Sequence, residues 1–262
     1  MSLKKSKLAM AIAATAGLTF SSGAFATNGI IPAGNGMVAH GFGGAGLSNA
    51  GEAAAGMDNP ALISQTGDAV SVAWTMFMPE RTVDMTALGA PNDVKSDSKM
   101  FAIPQVALTS KLSDQMAFGI MAYAMGGMNT DYRTGPDTAG GAQSVNLQGM
   151  IVAPTFSFAF NKDVSAGVSL LVGYTTLTTR NLFGAGAAGT NEGSAVGYGV
   201  KLGVDAKVAD GISVGAMLQP KLNMEEITYF KNFLTPFGFT GDAALTLPNE
   251  IGVGAKFAIG KN

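Results

Sequence analysis

Few residues of this chain have the chemistry that catalysis or metal binding requires. The 262 residues include no cysteine and a single histidine, His40. Disulfides, thiolate metal sites and zinc sites built from histidine clusters are therefore excluded. No Ser/Asp motif accompanies the histidine to form a nucleophile and its base, so we predict that the chain is not an enzyme. His40 is either a hydrogen-bonded polar residue or a pH-sensitive contact to a ligand carboxylate.

A glycine pattern near the histidine resembles a nucleotide-binding loop. Gly41, Gly43 and Gly46 spell G-x-G-x-x-G. That pattern identifies a dinucleotide site only inside a βαβ unit with an acidic residue further along, and the sequence has neither. We therefore predict no cofactor. These glycines, together with Gly44, predict close packing of the backbone against the wall of a surrounding barrel, where no side chain fits.

The tripeptide Asn59-Pro60-Ala61 has two interpretations. Proline lacks an N–H and restricts Asn59 to extended conformations, so it ends a short helix predicted within residues 45–57. A rigid break is also what a hinge needs, and both interpretations stay open. The motif belongs to residues 27–69, which are rich in Gly, Ala and Asn and predict a compact segment without regular strands.

The composition is typical of a membrane protein. Apolar residues make up 47% of the chain and charged residues only 13%, against about 25% charged residues in soluble domains. The net charge of −2 and a pI near 5.4 exclude nucleic acid as a partner and disorder as a state. Beyond the first few dozen residues no apolar run is long enough for a transmembrane helix. A membrane β-barrel satisfies all of these observations.

The first 26 residues predict export. Lysines within residues 4–7 precede an apolar stretch, residues 8–20, and Ala24-Phe25-Ala26 forms an A-x-A cleavage site. This pattern is typical of a secretory signal peptide, residues 1–26, cleaved after Ala26. The predicted location is the bacterial outer membrane, with its lipid and its assembly machinery as partners.

From residue 70 onward, apolar residues alternate with small or polar ones. This period predicts an all-β fold, a transmembrane antiparallel β-barrel over residues 70–262 with lipid outside and a lumen inside. We count nine strands, of which Ala243–Leu247 is the shortest. A soluble β-sandwich alternates too, but the connections favour the barrel. Short turns (113–114, 162–163, 210–211, 249–250) alternate with long loops (79–99, 126–146, 178–194, 222–241).

An odd strand count conflicts with the even counts of single-chain bacterial barrels. An open sheet in lipid leaves backbone groups unpaired, at several kcal/mol each. We therefore expect the barrel to be incomplete at its C-terminal end. A ten-strand barrel with one strand missed and an eight-strand barrel with one strand over-counted are the alternatives.

The mature chain resembles the FadL/TodX family of outer-membrane transporters for long-chain fatty acids and other hydrophobic compounds. The resemblance lies in Asn28-Gly29, the glycine-rich residues 36–46 and Asn59-Pro60-Ala61, with weaker matches at 101–104, 118–119 and 245–248. It implies a fourteen-strand barrel closed by an N-terminal plug, or hatch, here residues 27–69. Nine strands would then leave five missing.

The resemblance also implies roles for particular residues. Plug rearrangement would involve Gly41, Gly43, Gly44, Gly46 and the Asn59-Pro60-Ala61 motif. A kink in the third strand would open the barrel sideways to lipid, near Gly119, Gly126 and Gly127. Gly119 is alternatively a small residue that faces the lumen.

An aromatic cluster in the predicted loop 222–241 is a candidate ligand-binding surface. It contains Phe230, Phe233 and Phe237, and exposed apolar patches of this kind mark binding sites. Lys231 is placed to hold a ligand carboxylate. Together with the resemblance, this predicts passive uptake of hydrophobic compounds by plug rearrangement and lateral release. A general diffusion porin and a structural barrel are the alternatives, although the former predicts a charged constriction and the latter needs no plug.

Overall fold

The computed structural model describes residues 27–28, 31–32, 34–83, 94–132, 143–180, 190–235, 238 and 240–258. Most of them belong to one antiparallel sheet that curls into a half-barrel. Within these ranges, no helix combines the length and the apolar character needed to cross a membrane. The predicted signal peptide, residues 1–26, lies outside the described residues.

Eight long strands of the described residues follow one another across the sheet, each antiparallel to its neighbour. Within the described ranges, five further strands have two residues each. Four of them form two small antiparallel pairs, β1 with β2 and β4 with β5, and the fifth, β12, pairs with β10. The strands are β1 (Thr27–Asn28), β2 (Ile31–Pro32), β3 (Ala69–Phe77), β4 (Thr82–Val83), β5 (Val94–Lys95), β6 (Phe101–Lys111), β7 (Met116–Tyr132), β8 (Gln143–Ala159), β9 (Val164–Arg180), β10 (Thr190–Ala209), β11 (Ile212–Gln219), β12 (Asn223–Met224) and β13 (Glu250–Phe257).

The predicted alternation of faces is confirmed along the sheet. In β3, Val70, Val72 and Trp74 are exposed on the convex face, while the residues between them are half-buried. In β9 the apolar Leu170 and Val172 are likewise exposed, and the residues beside them, Ser169, Leu171 and Gly173, face inward. An apolar outer face is what contact with lipid requires.

The strand predicted at Ala243–Leu247 is wrong. This stretch makes only two isolated bridges, to Leu222 and Glu226. Glu250 begins β13 directly opposite Gln219 of β11, so residues 249–250 are not a turn between strands. The reason is that the chain folds inward at both ends of the connection between β11 and β13, where Leu222, Met224, Ile227, Ala243 and Leu247 are buried, instead of adding a strand. Without that stretch the number of long strands is even.

The strands extend further than the hydropathy pattern predicts. The described residues of the predicted loop 126–146 are strand, because β7 continues to Tyr132 and β8 begins at Gln143. The described residues of the predicted loop 178–194 are strand too, because they form the end of β9 and the start of β10. Near these ends the residues are polar on both faces, so the ladder continues where the alternation of hydropathy disappears.

Residues 34–68, called the N-terminal segment below, pack on the concave face of the sheet. Their helices are short, and they contain no strand, although the strand-free segment predicted over residues 27–69 also includes the two-residue strands β1 and β2 and the first residue of β3. These are α1 (Gly36–Gly41), α2 (Ala55–Asp58), a 3₁₀ turn (Pro60–Leu62) and α3 (Ile63–Thr66). One further helix, α4 (Thr228–Leu234), lies in the connection between β11 and β13.

Candidate functional site

The inner face of β10 carries two different elements. Its odd-numbered residues point toward the concave side, in the order Gly193, Gly197, Gly199, Lys201, Gly203 and Asp205. The N-terminal segment lies on the half from Lys201 to Asp205. Residues 220–227, called the inner strap below, lie on the half from Gly193 to Gly199. The two elements therefore meet near Lys201.

The Asn59-Pro60-Ala61 motif is fixed against the wall of the sheet. A Cβ at Gly203 would overlap Asn59 and Pro60, so only glycine allows this approach. The Asn59 side-chain amide donates to the carbonyl oxygens of Val204, at 3.0 Å, and of Leu47, at 2.7 Å. Asn59 itself is fully buried, and the motif therefore fastens the N-terminal segment to β10.

The same motif confirms the predicted helix end. Helix α2 ends at Asp58, and Asn59 is extended, with φ −141° and ψ 109°. Its side-chain oxygen then accepts a hydrogen bond from Ala61 N at 3.0 Å and caps the 3₁₀ turn. Proline suits the first position of that turn, because no N–H is needed there. Movement of the motif as a hinge stays a prediction.

The prediction that the glycine pattern packs closely against the barrel wall is wrong at Gly41, Gly43 and Gly46. A Cβ at Gly41 or Gly43 would meet nothing within 4 Å. Gly43 and Gly44 have φ of +67° and +90°, so the turn after α1 requires glycine for its backbone instead. At Gly46 a Cβ would overlap the Asp58 carboxylate, which is a contact within the segment and not with the barrel wall.

His40 makes two hydrogen-bond contacts and does not line the cavity described next. Its Nδ1 lies 3.0 Å from the carbonyl oxygen of Gly36, one helical turn earlier. Its Nε2 lies 3.4 Å from the Thr75 hydroxyl on β3. These contacts fit the interpretation of His40 as a hydrogen-bonded polar residue.

A cavity of about 170 Å³ lies where the N-terminal segment, the wall and the connection after β11 meet. Among the described residues, its charged lining consists of Asp58, Lys201 and Glu250. Apolar side chains form much of the remainder. The full lining is Gly34, Asn35, Gly44, Leu47, Asp58, Tyr123, Ala124, Met125, Ile151, Lys201, Met217, Gln219, Leu247, Glu250 and Gly252.

Lys201 joins the wall to the N-terminal segment at this cavity. Its side chain is 5% exposed. The ammonium donates to the carbonyl oxygen of Met57 at 2.5 Å and to the Tyr123 hydroxyl at 3.5 Å, and it lies 5.5 Å from the centre of the Tyr123 ring. The lysine is therefore held by the protein's own acceptors.

Asp58 is a buried carboxylate on the other side of the cavity. It accepts hydrogen bonds from the Asn35 side-chain amide at 2.7 Å and from Asn35 N at 3.3 Å. Burial raises its pKa above the usual range, although the Asn35 bonds and the charge of Lys201 oppose the increase, and the charge of Glu250 adds to it.

The wall beside the cavity contains a break between β6 and β7. Residues Gln105–Lys111 of β6 pair with residues Ala117–Tyr123 of β7, and the ladder stops at the pair Gln105–Tyr123. Both strands continue beyond this pair, because β6 starts at Phe101 and β7 runs on to Tyr132. Beyond the break, Asp97 N donates to the Asp131 carbonyl oxygen at 2.8 Å. The break is therefore bounded at both ends.

A β-bulge in β7 coincides with this break. In the ladder with β8, Ala124 pairs with Met150 and Gly126 pairs with Gly149, so Met125 is an extra residue. Gly126 has φ +150°, and bulges of this kind bend a strand. The bulge agrees with a kink in the third strand at Met125–Gly126, and a sideways opening there stays a prediction.

The other two glycines of that prediction have different surroundings. Gly119 is buried on the concave face, and a Cβ there would lie 2.8 Å from the Leu108 carbonyl oxygen. It fits the alternative interpretation of a small residue that faces the lumen. Gly127 follows the bulge directly and is exposed.

The inner strap shows that part of the predicted outer loop 222–241 lies inside the sheet. Leu222, Met224 and Ile227 are buried, and they lie over glycines of β9 and β10 that have no side chains to displace them. The start of this predicted outer loop is thus buried on the concave side, because the hydropathy pattern does not distinguish a folded-in segment from an exposed loop.

The predicted ligand-binding residues of this loop are only partly described. Phe230 is half-buried against the core. Lys231 lies 2.7 Å from Glu226, so its charge is already paired. For Phe233 the structure gives the backbone of α4, and Phe237 lies outside the described residues.

Sequence reasoning missed the polar residues of β10. Asp205 is buried and accepts hydrogen bonds from the Ser48 hydroxyl at 2.5 Å and from the Gln65 amide at 2.9 Å. Lys201 stands four residues earlier on the same face. Two charged residues at inward positions of a strand otherwise rich in glycine are a pattern that the sequence contains, and it indicates an internal polar contact.

An apolar outer face and a filled concave face are typical of a membrane β-barrel. Residues 12–231 match the family model described as "Outer membrane protein transport protein (OMPP1/FadL/TodX)". The chain belongs to this family, whose members are transport channels and not enzymes.

Solved structures of transporters share the fold. The toluene transporter TodX of P. putida is 19% identical with a TM-score of 0.58. The match covers 84% of this chain and 62% of TodX. The toluene transporter TbuX of Ralstonia pickettii is 18% identical with a TM-score of 0.64, covering 87% and 69%. A Pseudomonas aeruginosa FadL homologue is 13% identical with a TM-score of 0.55, and the match covers 82% of this chain and 63% of the homologue.

The chain spans less than two thirds of the length of TodX and of the FadL homologue. No curated protein matches it.

Proposed function

We propose that this chain forms a passive channel for hydrophobic compounds, a long-chain fatty acid or a hydrocarbon, across the bacterial outer membrane. The compound binds in the cavity between the N-terminal segment and the wall. It leaves sideways, through the break between β6 and β7. The observation that carries the proposal is that Tyr123, Ala124 and Met125 line the cavity and also form the edge of the break.

Lateral release agrees with the physical chemistry of the ligand. A hydrophobic molecule gains about 25 cal/mol for each Å² of apolar surface that it removes from water. A water-filled pore provides none of this gain. The convex face around the break is apolar, with Ile120 and Phe118 of β7 exposed, so a ligand that leaves there enters lipid directly.

The N-terminal segment is the proposed plug, and its two ends have different roles. The Asn59-Pro60-Ala61 motif is buried against the wall and serves as the anchor. Gly41 and Gly43 have open space around them and are exposed. Rearrangement during transport therefore takes place at the glycine-rich end, next to α1.

The remaining expectations from the sequence form part of the same proposal. The chain is exported with a signal peptide cleaved after Ala26, and it is inserted into lipid by the outer-membrane assembly machinery. The short turns of the sheet face the periplasm, and the connection that contains α4 (Thr228–Leu234) lies toward the outside, where the ligand first binds.

Deleting the bulge residue tests the route. Removal of Met125 joins the pairs Ala124–Met150 and Gly126–Gly149 into a regular ladder and straightens β7. We expect uptake of labelled toluene and of labelled palmitate, measured in cells lacking their own transporters of this family, to fall at least fivefold for whichever compound the wild type carries.

The chain offers a matched control for this deletion. In the ladder of β10 and β11, Val208 is the extra residue of a second bulge, close to a short turn and remote from the cavity. Deleting Val208 should leave uptake unchanged. Equal loss in both variants, or normal uptake without Met125, would contradict lateral release. Swelling of liposomes in sugar solutions would instead favour the diffusion porin, and absence of any uptake would favour a structural barrel.

A further inference from the structure

The cavity's charges bear on which hydrophobic compound enters it. A fatty acid brings a carboxylate into the site, whereas a hydrocarbon brings no charge. A buried carboxylate is costly unless a cation and hydrogen-bond donors compensate it. This inference rests on the proposed function, in which the transported compound binds in the cavity. The lining then decides which ligand is favoured.

Lys201 is the one cation among the described residues that line the cavity, and it is already engaged. Its ammonium contacts Met57 O and the Tyr123 hydroxyl, and its charge acts on Asp58. A ligand carboxylate would have to displace these partners. Displacement would leave the Met57 carbonyl without its buried donor, which has its own cost.

The two acids of the lining oppose an anion directly. Asp58 and Glu250 are close enough for the charge of Glu250 to act on Asp58. With Asp58 protonated, Lys201 and Glu250 balance each other; with Asp58 ionised, the described lining is negative overall. In neither state does the cavity offer net positive charge to a carboxylate.

The size and the apolar side chains of the cavity favour a small neutral molecule. Leu47, Met125, Ile151, Met217 and Leu247 contribute to the lining. A cavity of roughly 150 Å³ is large enough to hold benzene, and this one measures about 170 Å³. A long-chain fatty acid is larger than that space.

We infer that this cavity takes an uncharged hydrocarbon of about the size of one aromatic ring, and that Glu250 and Asp58 exclude carboxylates from it. The acids are thus specificity-determining residues of the channel. They act against the wrong ligand, and the apolar side chains bind the right one.

Toluene and benzoate test the inference, because they share one ring and differ in the charged group. Equilibrium dialysis of the purified full chain, with protein-free micelles as background, measures the binding of each. We expect toluene to bind and benzoate to bind at least tenfold more weakly. Equal binding, or tighter binding of benzoate, would overturn the inference.

Variants assign the preference to the cavity. Glu250→Gln should strengthen benzoate binding about threefold or more and leave toluene within twofold. Glu225→Gln, an exposed acid outside the lining, should change neither. Ile151→Trp, at a buried position of the lining, should fill the cavity and remove toluene binding. If Glu250→Gln leaves the ratio unchanged, or Ile151→Trp retains toluene binding, the assignment is wrong.

The uptake assay distinguishes failure of this inference from failure of the proposed function. Uptake of palmitate without uptake of toluene overturns this inference and leaves the proposed channel in place. Uptake of neither compound contradicts the proposed function itself. Uptake of toluene in preference to palmitate supports both.

Discussion

The N-terminal segment and the inner strap lie side by side on the inner face of β10, but different contacts hold them. The N-terminal segment is bound through polar side chains of the wall: Lys201 to Met57 O, Asp205 to Ser48 and Gln65. The inner strap is bound through apolar side chains that rest on glycines, together with the two-residue pairing of β12.

This difference implies that the N-terminal segment has a fixed position on β10, whereas the position of the inner strap is adaptable. Hydrogen bonds depend strongly on distance and angle, so the N-terminal segment has one position in which all its bonds are made. Apolar contact is non-directional, and a strip of glycines offers similar support at neighbouring positions. We expect the N-terminal segment to dock in a single way and the inner strap to tolerate small shifts.

The largest expected effect contrasts two glycines of β10. Gly203→Ala places a methyl group against the buried Asn59 and the rigid Pro60 ring, whereas Gly199→Ala meets the flexible Leu222 side chain at 3.3 Å. The first should destabilise the protein by about 3 kcal/mol and the second by about 1 kcal/mol or less. Thermal unfolding in detergent measures both. Equal losses would contradict a fixed N-terminal segment beside an adaptable strap.

Truncation of the strap should have an intermediate effect. Ile227→Ala removes a fully buried side chain that lies over Gly193. Such truncations cost 2–5 kcal/mol in rigid cores, and a strap that can shift should lose about 2 kcal/mol. Denaturant unfolding checks the value. A loss near 5 kcal/mol would mean that the strap is as rigidly packed as the rest of the core.

A smaller effect is expected for the polar contact at the other end of the N-terminal segment. Asp205→Asn keeps one acceptor but loses a charge-assisted bond to Ser48 or Gln65. The expected cost is about 1 kcal/mol, with faster protease cleavage within residues 34–68. Unchanged cleavage would show that these bonds do not hold the segment in place.

The smallest expected effect concerns pH. The pKa of Asp58 is raised in the folded protein, so the native state holds this proton more tightly than the unfolded state does. Stability from this group is therefore lost as pH rises from the ordinary aspartate pKa, near 3.8, through the raised value. In Asp58→Asn this dependence disappears, and Tm of the variant relative to wild type should increase from pH 4 to pH 8. A constant or falling difference would contradict the raised pKa.

The sequence predicts the sheet and the anchor better than it predicts the strap. Alternation reveals strands such as β3 because lipid and lumen impose opposite polarity on successive residues. Asn59-Pro60-Ala61 is recognisable because proline constrains the backbone locally. Neither source of information reaches Leu222 or Ile227, whose burial depends on glycines that lie far away in the chain and supply only space.

The cavity could not be predicted for a related reason. Its lining joins Asn35, Tyr123, Lys201 and Glu250, which come from four distant parts of the sequence. Lys201 appears in the sequence as one more polar residue in an alternating strand. Its contact to the N-terminal segment depends on the carbonyl oxygen of Met57, which only the fold brings within hydrogen-bond distance.

The most direct test of the account is to locate a bound ligand. Crystals of the full chain soaked with bromobenzene, and in parallel with a bromo fatty acid, would show the bromine by anomalous scattering. The account predicts a peak inside the cavity, close to Met125 and Ile151, for at least one of the two compounds. Peaks confined to the convex face, with the cavity empty at saturating ligand, would contradict it.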